Sequence, residues 1–185
     1  MLGWFFGKSP TQRNADALYV RAVKQARQAK FYADMGVPDN VDGRFDMIAL
    51  HVFLILRRLK QENARSQATA QALFDTMFTD MDRGLRELGA GDLGVGRRVK
   101  VMAKAFYGRV AAYDRGLKSD DGDLNEAILR NIFRGQEDER DRALLIASYM
   151  RRQADALDHQ SVDALLEGEV LFITAAISDD GKSVL

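Results

Sequence analysis

The sequence predicts an all-α protein, folded as a single-domain bundle of about six or seven helices. Three observations carry that expectation. Apolar residues recur at helical spacing nearly throughout the 185 residues, no stretch alternates with the period of two that marks a strand, and only two prolines interrupt the chain. No internal repeat or low-complexity tract competes with this reading. The length suits one domain, and a ~150-residue domain already buries roughly 70% of its unfolded surface, so the core needs no covalent staples. Cysteine is absent, which excludes disulfides, thiolate nucleophiles and Cys-ligated metals.

The first helix is expected from Thr11 to Ala33, because Ala15, Leu18, Tyr19, Ala22, Ala26, Ala29 and Ala33 share one face. Small side chains there let a partner helix approach closely. Gly36-Val37-Pro38-Asp39 breaks the chain, and Asp42 is the expected N-cap of a second helix. From Met47 to Leu56 that helix is apolar on every side except at His51, the pattern of a central buried element. His51 is therefore expected to be a core histidine bonded to a carbonyl or carboxylate.

A third helix should run from near Ser66 to Gly89, a natural left-handed stop. Phe74, Met77, Phe78, Met81, Leu85 and Leu88 form its apolar arc, with Asp75, Thr79, Asp82 and Arg86 opposite. Asp80 falls at the margin of the arc, where a half-buried carboxylate needs a cation, and Arg44 is the expected partner. Gly89, Gly91, Gly94 and Gly96 read as a tight connection rather than a phosphate loop, since the spacing matches no nucleotide fingerprint. A fourth helix, Val95 to Leu117, buries Val95, Val99, Met102, Ala103, Phe106, Val110, Tyr113 and Leu117. Its opposite side carries Arg97, Lys100, Lys104, Arg115 and Lys118, with Tyr107 among them. Asp123 and Glu126 are expected to cap a short helix ending at Phe133. A longer helix follows from Asp138 to Asp158, apolar on two sides, and Ser161 caps a last short one before the apolar stretch Val170 to Ala176. The implied organisation is an aromatic N-terminal segment (1–10), a helical domain (11–176) and a tail (177–185).

Charge is balanced, 27 basic against 27 acidic residues, which argues against polyanion binding through bulk charge. It is unevenly placed. Residues 1–33 hold six cations against Asp16 alone, while residues 119–141 hold eight acids against Arg130, Arg134 and Arg140. No run approaches the ~18 to 20 apolar residues of a membrane span. Trp4, Phe5 and Phe6 form too short a block for a signal core; they read either as a terminus that packs on the core or frays, or as a membrane-interface wedge with Lys8 and Arg13 near anionic headgroups.

Two dense stretches carry the remaining information. One reads Val37-Pro38-Asp39, Asp42-Gly43-Arg44-Phe45-Asp46-Met47 and Leu50-His51-Val52-Phe53-Leu54. The other reads Leu73-Phe74-Asp75-x-Met77-Phe78-x-Asp80-Met81-Asp82-Arg83-x-Leu85-Arg86-Glu87-x-Gly89-x-Gly91-Asp92-Leu93-x-Val95. Together they resemble the ubiquinol-cytochrome c chaperone family, assembly factors for cytochrome b of the respiratory bc1 complex, over roughly residues 31 to 115. The resemblance implies a non-enzymatic chaperone that binds newly made cytochrome b while haem is inserted and then releases it to the growing complex. In mitochondria such proteins work with a small partner and near the ribosomal exit. The expected partner-facing residues here are Arg44, Phe45, Asp80, Asp82, Arg86, Asp92, Lys100, Lys104 and Tyr107. The expected location is the cytoplasmic side of a bacterial inner membrane, in peripheral contact with anionic lipid.

The acids of the second stretch do not make a metal site on paper. A bundle-core di-iron site needs Glu-x-x-His pairs, and the EF-hand spacing is missing as well. Ion pairs at i,i+4, Asp82 with Arg86 and Arg83 with Glu87, account for them. With no nucleophile-base pair or nucleotide fingerprint, neither an enzyme nor a cofactor is expected. Two other classes stay open: a basic helical module for RNA or the ribosome, and a haem protein using His51 or methionine as axial ligand.

Overall fold

The computed structural model describes residues 8–87, 89, 92–119 and 122–175, and among these it is all-helical, with eight α-helices and two 3-10 turns. The aromatic segment Trp4, Phe5, Phe6 and the tail 177–185 lie outside the described residues. No described helix is long and apolar enough to cross a membrane.

The helices are α1 (Pro10–Ala26), α2 (Ala29–Ala33), α3 (Val41–Lys60), α4 (Gln67–Glu87), α5 (Asp92–Lys118), α6 (Asp123–Ile132), α7 (Arg140–Asp158) and α8 (Val162–Leu166). The apolar run of α3 makes it the axis of the bundle. Fourteen of its 20 residues are buried, and α1, α4, α5, α6, α7 and α8 all pack on it. Around it α1 lies against α4, α4 against α5, α5 against α6 and α6 against α7.

The expected first helix is two. The chain bends after Ala26, so Ala29 and Ala33 face solvent rather than a partner. The bend drives Phe31 into the core, edge-on to Tyr149 at 4.9 Å and His51 at 5.6 Å, and burial of that ring outweighs helical continuity. The Tyr32 hydroxyl donates to the Ala26 carbonyl freed by the break.

Helix ends also differ from expectation. Ser9 caps α1 through the Gln12 amide, with Pro10 at its first position. Asn40, not Asp42, caps α3, accepting from the Gly43 amide at 2.8 Å. Gly122, with φ 89°, precedes α6 in place of an Asp123–Glu126 cap; Asp123 takes Arg115 and Glu126 takes Arg140. A 3-10 turn at Glu137–Glu139 delays α7 to Arg140. Ser161 stands at the N-cap of α8 without a side-chain cap bond. Gly89, φ 82°, is the expected left-handed stop after α4, but α5 resumes at Asp92, so Gly94 and Gly96 lie inside a helix.

One side of α7 is buried as expected (Ala143, Ile146, Met150, Ala154, Leu157), while Leu144 and Leu145 of the other side stay exposed and Tyr149 is buried. The segment after α8 becomes an extended strap pinned by glutamines. Gln153 brackets Ile173, accepting from its amide and donating to its carbonyl; Gln160 does the same at Leu171; Gln25 of α1 also donates to the Ile173 carbonyl. Asn14 of α1 reaches the Leu166 carbonyl.

The α5–α6 crossing depends on Gly116, where an added Cβ would lie 2.6 Å from the Leu124 Cα and 2.7 Å from its amide nitrogen. Backbone cannot give way as a side chain can, so Gly116→Ala should cost about 1 to 3 kcal/mol in a denaturant melt. Gly108→Ala in the same helix meets open space and should stabilise by about 0.5 to 1 kcal/mol through helix propensity.

Candidate functional site

A surface groove forms where the first turns of α3, the last turns of α4 and α5 come together. Its floor is Val41 and Phe45 from α3, Leu85 from α4 and Met102 from α5, shared by two adjoining hollows of about 410 and 870 Å³. Methionines at such a surface adapt to varied shapes, and Met81 joins Met102 here. Val41 and Val101 are 59% and 62% exposed, so part of the lining is apolar surface open to solvent. Parts of the two signature stretches, Arg44 and Phe45 from the first and Asp80, Met81, Arg83, Leu85 and Glu87 from the second, meet in its lining.

Beneath the larger hollow lies a charge cluster that the sequence reading missed. Asp46, fully buried on α3, accepts from Arg109 of α5 at 2.6 Å, and its other oxygen lies 2.8 Å from Arg134 at the end of α6. Burial pushes the Asp46 carboxyl up, opposed by the charges of Arg109 and then Arg134. Arg109 is also stacked over the Phe45 ring at 5.5 Å. Arg134 reaches the carboxylate from a left-handed backbone, φ 57°, a strained conformation for a non-glycine residue that is followed by Gly135 in the same region. Arg97, Arg98 and Arg130 complete the rim, and none of the three has a carboxylate partner among the described residues. A carboxylate inside the apolar face of a buried helix was the available signal for this cluster, because it demands a cation. Which arginine would answer could not be read from spacing.

The expected site residues divide. Arg44, Phe45 and Asp80 line the groove. The expected Arg44–Asp80 pair is absent: Arg44 is exposed and held by Asp39 at 2.7 Å, and Asp80 is paired with Arg83 and accepts from the Tyr19 hydroxyl at 2.8 Å. Partners within one turn or one short loop take both charges before the groove can be bridged. Arg83 thus turns back to Asp80 rather than forward to Glu87. Asp82 and Arg86 form the expected i,i+4 pair at 2.6 Å, outside the groove lining. Asp92 opens α5, its side chain outside the described residues. Lys100, Lys104 and Tyr107 of α5 are not part of the groove lining, although Arg97, expected on the same face of the helix, is; the two lysines are exposed and the Tyr107 ring lies 5.4 Å from Phe74. Toward the end of that face Arg115 and Lys118 are paired with Asp123 and Asp114.

His51 is the expected core histidine. Its Nδ1–H donates to the Met47 carbonyl at 2.7 Å, which leaves Nε2 to accept from the Tyr149 hydroxyl at 2.7 Å. The Tyr149 oxygen accepts in turn from Gln25. Burial lowers the imidazole pKa to about 4, so the ring is neutral, and with both nitrogens engaged it presents no lone pair to an iron. Among the described residues no three His, Cys, Asp or Glu side chains gather to hold a metal ion.

Fold and groove together define an all-helical domain with an open, arginine-rimmed apolar surface. Sequence comparison places it: the family model for ubiquinol-cytochrome C chaperone matches residues 33–172, and the chain belongs to that family. It is 28% identical over 169 residues to ubiquinol-cytochrome-c reductase complex assembly factor 1 of Xenopus laevis, covering 91% of this chain and 84% of the frog protein. To the human protein of that name it is 31% identical over 155 residues, covering 83% of this chain but only 52% of the human one, so it spans about half the length of that relative. Among solved structures it is similar to the Cbp3 homolog from Brucella abortus, with a TM-score of 0.80, 38% identity and coverage of 90% of this chain and 92% of that one.

Proposed function

We propose that the chain is a non-enzymatic assembly chaperone that binds newly made cytochrome b and supports assembly of the bc1 complex. The observation that carries this is the convergence of both signature stretches on one apolar groove, a surface suited to holding a partner segment and lacking the paired nucleophile and base of a catalytic centre. A photo-crosslinker at Val101, exposed in the groove, should capture cytochrome b during its synthesis, and deletion of the gene should lower the bc1 level. An unchanged bc1 level on deletion rejects the reading.

The same proposal places the domain at the cytoplasmic face of the inner membrane. The exposed Lys100 and Lys104, together with Trp4, Phe5 and Phe6, are the contact, each suitably placed cation contributing about 1 kcal/mol near anionic lipid. Replacing the three aromatics with Ser, or both lysines with Glu, should weaken liposome binding and lower bc1 without changing the melting temperature. Parental liposome binding and full bc1 recovery in both variants would reject the membrane contact. Ribosome binding would instead show as a steep loss of affinity with salt.

A further inference from the structure

We propose that the groove receives an amphipathic helical segment of a protein client, its apolar side on Val41, Leu85, Val101 and Met102 and its carboxylates on Arg97, Arg98 and Arg130. The inference rests on the chaperone reading above and specifies the chemistry of what is held.

The charge distribution carries it. The larger hollow presents five arginines against Asp42 and Asp46. Asp46 is fully buried and engages two of the five, Arg109 and Arg134, with Asp42 4.0 Å from the latter. The surplus of positive charge therefore resides on the three rim arginines. At the other end charge is nearly cancelled: Asp80 is taken by Arg83 and Arg44 by Asp39, leaving Arg27 opposite Glu87. The groove is thus apolar along its floor and positive at one end, the complement of a helix with an apolar stripe and acids at one terminus. Guanidinium groups also suit carboxylates, which they can grip with two parallel bonds.

A bilayer surface fits less well. It is flat, whereas these arginines stand around a concave hollow, and Glu87 on the rim would face anionic headgroups. Single-stranded RNA would want exposed aromatic rings to stack on; Phe45 is buried beneath Arg109, and Tyr107, the exposed ring among the described residues, lies outside the groove.

The test uses the full chain and a labelled synthetic peptide of about 18 residues, long enough for five helical turns, with leucines at i, i+3, i+4 and i+7 and two glutamates in one terminal turn. A second peptide carries lysines in place of the glutamates. Fluorescence anisotropy should show the acidic peptide binding about tenfold tighter, with the gap closing as salt rises. The exposed pair Arg97→Glu and Arg98→Glu should invert the preference, and Val101→Asp should weaken both peptides, with melting curves confirming that all variants fold. Equal affinity for the two peptides, indifference to the double reversal, or binding only to anionic vesicles overturns the proposal. The functional reading fails separately. If deletion lowers bc1 and Val101 crosslinks to cytochrome b while the double reversal changes nothing, only the acidic-helix chemistry is wrong; if deletion leaves bc1 intact, the chaperone role is wrong whatever the peptides do.

Discussion

Asp46→Ala is expected to destabilise the domain by about 3 to 5 kcal/mol, because it leaves the nearly buried guanidinium of Arg109 without its counter-charge. At this chain length that is a fall of roughly 6 to 20 °C in melting temperature. Arg134, 45% exposed, recovers part of its hydration and adds less. Asp75→Ala is the control: its carboxylate is exposed and accepts only from Gln71 one turn away, so the loss should stay within about 0.5 kcal/mol. Replacing both charges, Asp46→Leu with Arg109→Met, should restore much of the stability, since an apolar pair needs no desolvated ions. Equal small losses for Asp46→Ala and Asp75→Ala would show that the cluster is hydrated in solution.

Lowering the pH from 7 to 4 should remove roughly 3 kcal/mol through His51 alone. Burial, partly opposed by the bond to the Met47 carbonyl, holds its pKa at about 4, against an ordinary value of 6.5. Protons are thus taken up first by the unfolded chain. The His51 contribution is complete above 6.5 and is lost as the pH falls toward 4. His159, exposed and raised by its bond to the Asp155 carbonyl, acts with the opposite sign. Carboxylate titration overlaps the lower part of this window, so the measurement is a difference: urea midpoints at pH 7, 5.5 and 4 for the parent and for His51→Gln. The parent should show the steeper loss, and parallel curves would mean that His51 is hydrated when folded. Tyr149→Phe should weaken the domain at every pH by stranding Nε2 of the ring.

The existence of each long helix was legible in the sequence because burial imposes the 3.6-residue period directly, and α3 announced its central place by being apolar all round. Boundaries were less legible. The first helix starts at Pro10 behind a Ser9 cap rather than at Thr11, Asn40 took the cap expected at Asp42, and the break after Ala26 exists for the sake of Phe31, whose partners His51 and Tyr149 lie in other helices. The site followed the same division. Arg44, Phe45 and Asp80 stood in the signatures and do line one groove, yet the sequence reading joined Arg44 to Asp80, where local partners win. The Asp46 cluster draws Arg109 from 63 positions away and Arg134 from beyond α6, and a left-handed arginine leaves no composition signal.

The glutamine-pinned strap has a consequence for the order in which the chain acquires its structure during synthesis. Gln25 finds the carbonyl of Ile173 only after the 148 positions that separate them have been made. Asn14 likewise waits for Leu166. Contacts separated by about 150 positions close long loops, and non-local closures of this kind form late and slowly compared with helical turns. Until that moment the amides of Gln25 and Gln153 have no strap to hold, and Phe172 is not yet seated against His51 at 5.2 Å. The growing chain therefore cannot close this part of its core until Phe172 and Ile173 have been made, and the hydrogen bonds of Gln25 and Gln153 to Ile173 form only after the helices they come from.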